Sequence, residues 1–573
     1  MDSFAMQTRK EFGDRNFRLL GAMASAMIAM AAGSLQPALN AARPNIVLFL
    51  TDDQDQMLGS SFPTHGTATP MPKAQRLLAD QGVTASNFFV HTPICCPSRN
   101  ELLAGRYFHN IKTVPGDTPR PTKGDSCMHI NETKVFNHTF ARYLKEEAGY
   151  AVGLFGKFTN SWTGQWGRAP IGFDAWLANG GGDYMSPFFG VKGLKAFTGV
   201  DDCNRCQWKG NYTTAVVGNI SNAWIRHLHT TAPSTPFFAY VAPKAAHEPF
   251  NPAPWYVDHW DPSWPEKEPR PDGVWNASFA SRADHHGNIA TQPMITPDAA
   301  EVITGIFKNR WRCLMSVDDV IDSALSTVEG IGKLNSTYFF FTSDHGFQLG
   351  EYNMLMDKRH VYDFDTRVHL LVRGPLIPPG STMPYIATFV DLAPTFLDIA
   401  GVEVPEQMDG KSMLPLLHAN DKAAANEWRK DIVLEYYFVA PNDKCVKGCN
   451  YSKVGNWPYK DEYCVDLEGF SGCWGPAAGD ACHIECYPTE SPANNWRALR
   501  SVGEEDYLYA EFETGDQSQR DIIFEAPDFY ELYEMDTDPW SLHNVYKSAP
   551  KARLEKMQSR LKEWYECAGA ACP

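Results

Sequence analysis

Positive charge is scarce in this chain. Its 51 Lys and Arg face 68 Asp and Glu, a formal charge of −17. That balance excludes a general binder of nucleic acid or of acidic membranes, since both ask for a field of the opposite sign. An anionic substrate must therefore meet a local cluster of cations. A stable membrane span is also missing, because the apolar run from Leu19 to Ala32 is shorter than the roughly 18–20 residues that cross a bilayer. No internal repeat is found. The cysteines between Cys445 and Cys486 lack the paired CxxC framework of a zinc module, so local disulfides are the better reading there.

What is present is a globular composition, 43% hydrophobic and 13% aromatic over 573 residues, too long for a single compact core. The 16 Trp and 23 Tyr are mostly core, with some able to stack on sugars. Arg9, Lys10, Arg15 and Arg18, the apolar run, and then Ala38, Ala41 and Ala42 have the anatomy of a signal peptide and leader over residues 1–42. An uncleaved anchor is the alternative. Seven Asn-X-Ser/Thr sequons, at Asn131, Asn137, Asn211, Asn219, Asn276, Asn335 and Asn450, are candidate glycosylation sites. The 14 cysteines include close pairs at Cys203/Cys206, Cys445/Cys449 and Cys567/Cys572. Together these features point to the secretory route, with a secreted, periplasmic-space or lysosomal destination.

Residues 45–51, Asn-Ile-Val-Leu-Phe-Leu-Thr, form a continuous apolar run that predicts a strand buried on both faces, ending on Asp52 and Asp53. The design recurs. Tyr150–Phe155 runs into Gly156-Lys157, Phe237–Ala242 into a segment ending at His247, and Tyr338–Thr342 into Asp344-His345. Ile303, Phe307, Trp311, Leu314, Val317, Ile321, Leu325 and Val328 recur at helical spacing. Strands alternating with helices predict a mostly parallel α/β sheet, with ligands beyond the carboxyl ends of the strands. The tract from Trp260 to Pro271 has no periodic apolar face and reads as a surface insertion that shapes a cleft rim. Gly401–Gly410 reads as a boundary. It separates a large domain, 43–405, from a smaller cysteine-rich α+β domain, 406–573, which ends in an amphipathic segment, Ala552–Trp564.

The most specific local pattern is Cys95-Cys96-Pro97-Ser98-Arg99 followed by Leu103-Ala104-Gly105-Arg106. Taken alone, the two cysteines could be buried core or disulfide partners ahead of a helix with Pro97 in its first turn. A reactive group at such a helix start would face unpaired N–H donors and the positive end of the helix dipole, which suit a sulfate or an anionic oxygen. Arg99 adds a forked donor. The pattern resembles the signature C-x-P-S-R-x-x-x-L-T-G-R of the formylglycine-dependent sulfatases, with Ala104 at the usual Thr.

That resemblance implies an alkaline-phosphatase-like sheet sandwiched by helices, and oxidation of Cys95 to formylglycine by a formylglycine-generating enzyme of the endoplasmic reticulum. Asp52-Asp53 and Asp344-His345 resemble the family's two metal-binding pairs. An Asp-Asp pair by itself is commonly a solvated turn or helix cap. Two such pairs, each after a buried strand, suit a hard cation, and the family uses Ca²⁺ here, with Cys95 as a further ligand. His345 stands where many relatives have Asn, which leaves Zn or Mn as alternatives. Lys157, His247 and Lys358 match positions that hold sulfate oxygens or handle the leaving group, and Asn160 is a further substrate contact. In the implied mechanism a hydroxyl of the hydrated aldehyde attacks sulfur. Lys157, Lys358 and Arg99 offset the charge, and His247 or Lys358 protonates the departing alcohol.

Ser316-Val-Asp-Asp319, the Asp357–Asp365 run, Leu371-Val-Arg-Gly-Pro375 and the terminal cysteine pair are similar to N-acetylglucosamine-6-sulfatases and to algal-type arylsulfatases. The expected substrate is a sulfated carbohydrate of glucosamine-6-sulfate type, with an aryl sulfate as the alternative. Two rival readings are a phosphatase or phosphonate hydrolase of the same fold and a non-catalytic extracellular glycan-binding glycoprotein. The first would normally use Ser or Thr and two metals. The second would not require this set of residues.

Overall fold

The computed structural model describes residues 43–56, 68–113, 130–160, 168–437, 494–514 and 524–573, apart from positions 291, 293, 296, 355 and 419–421. The leader 1–42, Asn450 and the cysteines from 445 to 486 lie outside the described residues.

The strands are β1 (Asn45–Thr51), β2 (Val83–Ala85), β3 (Phe88–Phe89), β4 (Ala151–Lys157), β5 (Ala175–Asn179), β6 (Phe188–Lys192), β7 (Cys203–Gln207), β8 (Phe237–Ala242), β9 (Thr337–Ser343), β10 (Leu370–Arg373), β11 (Ser381–Met383) and β12 (Ala387–Thr388), followed by β13 (Asp431–Tyr436), β14 (Trp496–Ser501), β15 (Tyr507–Phe512) and β16 (Phe529–Glu534). A ten-stranded sheet has the order β11-β2-β10-β9-β1-β8-β4-β5-β6-β7. Its centre, β9-β1-β8-β4-β5, is wholly parallel, and antiparallel strands occur only toward the edges. β3 and β12 form a separate short pair.

Alternation along β1 shows why the run 45–51 is apolar throughout. Ile46, Leu48 and Leu50 face one core with Phe140, Phe238 and Phe396, while Val47 and Phe49 face a second with Val217, Trp224, Leu314, Val317 and Ile321. Each face needs its own oily layer, so the polar half of the usual strand pattern disappears. Helices Cys95–Ala104, Phe140–Ala148 and Leu392–Ile399 cover the first face, and Thr213–Thr231 and Pro297–Gly330 the second.

The long helix Pro297–Gly330 contains all eight periodic positions read from the sequence. The tract 260–271 is more anchored than its composition suggests. Trp260 and Trp264 pack edge-on against one another, and both meet Trp311 of that helix, Trp264 edge-on and Trp260 tilted by 34°, so aromatic contacts replace the missing periodic face.

β13–β16 form a smaller antiparallel sheet. The helix Lys551–Glu566 lays Met557, Leu561 and Trp564 on its Val433, Leu499 and Tyr509. The sheet grips the Asp357–Asp365 loop, since Trp496 Nε1 donates to the Arg359 carbonyl at 3.0 Å and Arg500 pairs with Asp363 at 3.0 Å. Disulfides join Cys203 to Cys206 and Cys567 to Cys572.

Candidate active site

The parallel centre brings the charged strand ends together. Thr51 of β1 lies opposite Ser343 of β9, so Asp52-Asp53 and Asp344-His345 emerge side by side. Lys157 ends β4, and Gly156 before it passes so close to β8 that a Cβ there would sit 1.9 Å from the Ala242 carbonyl oxygen. No other residue fits at 156. His247 follows β8, and Lys358 arrives on the loop gripped by the small sheet. Cys95 opens the helix Cys95–Ala104, whose extended N-cap, Ile94, makes no side-chain cap. Gly105 ends the helix in the left-handed conformation at φ +63°.

Cys95 Sγ lies 3.3 Å from His345 Nε2 and 3.6 Å from Asp52 Oδ1. It is free and buried, whereas Cys96 is tied up in a disulfide. His345 Nε2 is 3.4 Å from Asp344 Oδ1 and 3.5 Å from Asp53 Oδ1, while its Nδ1 is 2.8 Å from the Gly346 carbonyl oxygen. That carbonyl can only accept, so Nδ1 carries a proton. Arg99 Nε donates to Asp344 Oδ2 at 2.8 Å and its Nη1 to the Lys157 carbonyl at 2.9 Å. Lys157 is paired with Asp52, and Lys358 Nζ is 2.9 Å from Asp53 Oδ1. All of these side chains are buried.

Burial pushes every charge here toward neutrality, and neighbours decide which ones survive. It would raise Asp52, but Lys157, His247, Arg99 and His345 hold that carboxyl well below its usual range. Burial would likewise raise Asp53, which Lys358 brings down to about 2. Lys358 is disfavoured by burial yet held well above the ordinary lysine value by Asp53. Burial alone would lower His345, but Asp344 and Cys95 bring it up to about 9. His247 goes the other way. Burial drives it down to about 3 despite Asp53, and its Nδ1 is 2.9 Å from the Glu248 carbonyl oxygen. Burial thus favours the neutral imidazole for His247, which leaves Lys358 as the stronger candidate of the two expected proton donors.

The donor set fits a hard cation. One atom each from Asp52, Cys95, Asp344 and His345 lies within 4.8 Å of the others, and Asp52, Asp53, Cys95 and His247 form an overlapping group. Asp344 Oδ1 is buried without a hydrogen-bond partner, a lone pair aimed into this group. Three carboxylates and one imidazole suit Ca²⁺ better than a soft metal. The composition matches a formylglycine and calcium site.

Beside it opens a cleft of about 480 Å³ bordered by Lys157, Asn160, Gly180–Gly182, Asp183, Lys244, His247, Glu248, Pro249 and Asn251. Asn160 Oδ1 is buried there without a partner. A larger cavity of about 940 Å³ lies against Arg429, Ser501 and Arg560 and contains none of these groups, so its size carries no functional weight.

The family model for sulfatases matches residues 44–402, more than half of the chain. The chain belongs to the sulfatase family. It hydrolyses a sulfate ester. The C-terminal model of N-sulphoglucosamine sulphohydrolase matches residues 350–457. An N-acetylglucosamine-6-sulfatase of Capra hircus is 30% identical over 539 residues, covering 92% of this chain and 85% of that protein. An arylsulfatase of Volvox carteri is 26% identical, covering 92% and 76%. A solved structure bound to its substrate D-glucosamine-2-N,6-O-disulfate superposes with a TM-score of 0.63 at 22% identity, covering 91% of this chain and 98% of that one. It supports the sulfatase fold.

This sulfatase also uses residues that sequence reasoning passed over. Arg310 Nη2 donates to the Asp53 carbonyl and pairs with Asp55 at 2.9 Å, holding the turn in which Asp53 has φ +55°. The available signal was an Arg inside the apolar stripe between Phe307 and Leu314. Lys244 and Glu248 flank His247 in the run Pro243-Lys-Ala-Ala-His-Glu-Pro249 and border the cleft with it. By contrast Ser316–Asp319 is structural in this sulfatase, since Asp318 accepts from the Lys73 and Ala74 N–H groups at 3.0 and 2.7 Å.

Proposed function

We propose that this sulfatase removes the 6-sulfate of a glucosamine-type residue in a carbohydrate. The cleft carries the reading. Among its described lining residues there is no Phe, Tyr or Trp, and Pro249 is the one apolar side chain. A sugar offers hydroxyls to such a surface, whereas an aryl sulfate wants apolar walls. Similarity to an N-acetylglucosamine-6-sulfatase along 92% of the chain supports the same choice.

In this reading Asp52, Asp53, Asp344 and His345 hold Ca²⁺, which when bound polarises the sulfuryl and nucleophile oxygens. Formylglycine from Cys95 supplies the nucleophile. Lys157, Lys358 and Arg99 face the sulfuryl charge, and Asn160 takes a sugar hydroxyl. Lys358, kept protonated by Asp53, donates to the departing alkoxide, while neutral His247, its Nε2 turned to the cluster, accepts a proton. Residues 43–405 form the catalytic domain and 406–573 the smaller one, supported by the division between the two larger sheets.

Sulfate release from N-acetylglucosamine-6-sulfate and from an aryl sulfate tests the reading. Brisk aryl cleavage beside an untouched sugar sulfate would favour an arylsulfatase. Lys358→Ala should slow the sugar sulfate about 10²–10⁴-fold, the usual worth of a general acid. It should slow a nitrophenyl sulfate much less, because that leaving group departs unprotonated. Equal slowing on both removes Lys358 from the acid role.

No helix among the described residues is long and apolar enough to cross a membrane. The secretory route is supported by five exposed sequons, Asn137, Asn211, Asn219, Asn276 and Asn335. Asn131 is buried, and its side chain accepts from the Thr133 and Lys134 N–H groups. Peptide mapping of secreted protein should find glycans among the five and none at Asn131. A glycan at Asn131 in active protein would overturn this packing.

A further inference from the structure

The cleft beside Cys95 holds a cation that the reaction centre does not employ. Lys244, just beyond β8, is only 9% exposed and borders the same cavity as Lys157, Asn160 and His247. Lys157 and Lys358 each rest on a carboxylate. Lys244 has none within 4.0 Å among the described residues. Its Nζ donates to the Gly182 carbonyl and sits 5.0 Å from the centroid of the Tyr184 ring. An ammonium carries three donors, so one carbonyl and the face of one ring leave hydrogen-bonding capacity on a side chain that borders the cavity.

The surroundings make that ammonium ask for a counter-charge. Burial, and then the positive field of Lys157, push Lys244 down to about 8, with Glu248, Asp52 and Asp183 pulling the other way. A buried cation without an ion-pair partner is costly to the fold, and a ligand that supplies the partner recovers that cost on binding. Asp183 and Glu248 also border the cleft. They stay beyond ion-pairing distance, so neither neutralises the ammonium at close range.

We propose that Lys244 is a specificity residue that binds a second anionic substituent of the substrate, a sulfate, sulfamate or carboxylate standing next to the ester that is cleaved. The inference rests on the sugar reading above and narrows it: the preferred saccharide carries two negative groups, one at the reaction centre and one at Lys244. Asn160, with its buried oxygen unpartnered on the same cleft, is the complementary acceptor for a neutral hydroxyl.

The test compares kcat/KM of the wild type, Lys244→Gln and Lys244→Arg on three 6-sulfated probes. These are N-acetylglucosamine-6-sulfate, its N-sulfated counterpart, and an N-acetylated disaccharide carrying a uronic acid. The wild type should prefer one of the doubly charged probes, which tells a sulfamate from a carboxylate. Lys244→Gln should lose about 10- to 100-fold on that probe through KM, the worth of a hydrogen bond to a charged group, with a much smaller loss on the singly charged sugar. Lys244→Arg should recover most of it. No preference in the wild type, or equal losses on all probes, overturns the assignment.

Should Lys244→Gln fail to fold, calorimetry on the Cys95→Ala protein decides. The doubly charged sugar should bind at least about tenfold more tightly than the singly charged one, and equal affinities overturn the proposal. If no 6-sulfated sugar is cleaved while aryl sulfates are, the sugar reading fails. Lys244 is then judged by the same comparison on aryl sulfates with and without a carboxylate.

Discussion

Cys95→Ala should lower sulfate release by a factor on the order of 10⁵ or more, leaving only what charge and positioning supply, as when a covalent nucleophile is removed elsewhere. The fold should survive, because the change removes one sulfur atom from a helix start whose remaining contacts are backbone and ion-pair contacts. A thermal midpoint within a few degrees of the wild type is expected. Mass spectrometry of the peptide spanning Thr92–Arg99, made in a secretory host, should find the aldehyde at position 95 and none at 96. The finished fold agrees with that choice, since Cys96 is held in a disulfide while Cys95 is free and within 3.6 Å of Asp52. Full activity with an intact thiol at 95 would sink the mechanism.

The metal site gives the second large effect. Active protein should contain one divalent cation per chain. Chelation should abolish turnover and calcium should restore it, with zinc or manganese restoring less. Asp53→Asn and Asp344→Asn should each cut activity on the order of 10³-fold or more, because the ion's charge stabilisation goes with its ligand. Thermal unfolding separates this from simple damage. An ion that binds only the folded chain raises its midpoint with concentration, so the wild type should show a calcium-dependent rise that Asp344→Asn erases. A variant that keeps both the rise and a stoichiometric ion would remove Asp344 from the ligand set.

Much of this site was legible because its chemistry is written at strand ends. The runs ending at Asp53, Lys157, Ala242 and Ser343 are apolar without alternation, and that pattern has few explanations other than a central parallel strand with helices on both faces. Once those strands are neighbours, the residues after them must meet. Less legible was anything that depends on the exact depth of a side chain. Which of His247 and Lys358 holds the proton depends on burial and on neighbouring charge, which no spacing reports. Lys244 looked like any lysine in a loop. The tract 260–271 was read as a surface insertion because two tryptophans at a spacing of four, Trp260 and Trp264, do not make a periodic face, yet they suffice to pin it to the long helix. Asn131 shows the same limit from the other side, since a sequon and a helix cap are spelled alike.

The depth of Cys95 also imposes an order on events during synthesis. Its side chain is 2% exposed, beneath strand ends and helices drawn from much of the chain, so an oxidising enzyme has no access to it in the finished fold. The segment just after its helix is fastened late. Asn110 donates to the Cys567 carbonyl, 457 residues further on, and Asp409 accepts from both Tyr107 and Gly569. At about 5–20 residues per second of translation, roughly 20–90 s pass between the appearance of the cysteine and the arrival of the residues that lock its surroundings. The topology thus acts as a clock: an aldehyde at position 95 would have to be made before those residues close over it, and a mutation that speeds closure could yield well-folded protein with no nucleophile.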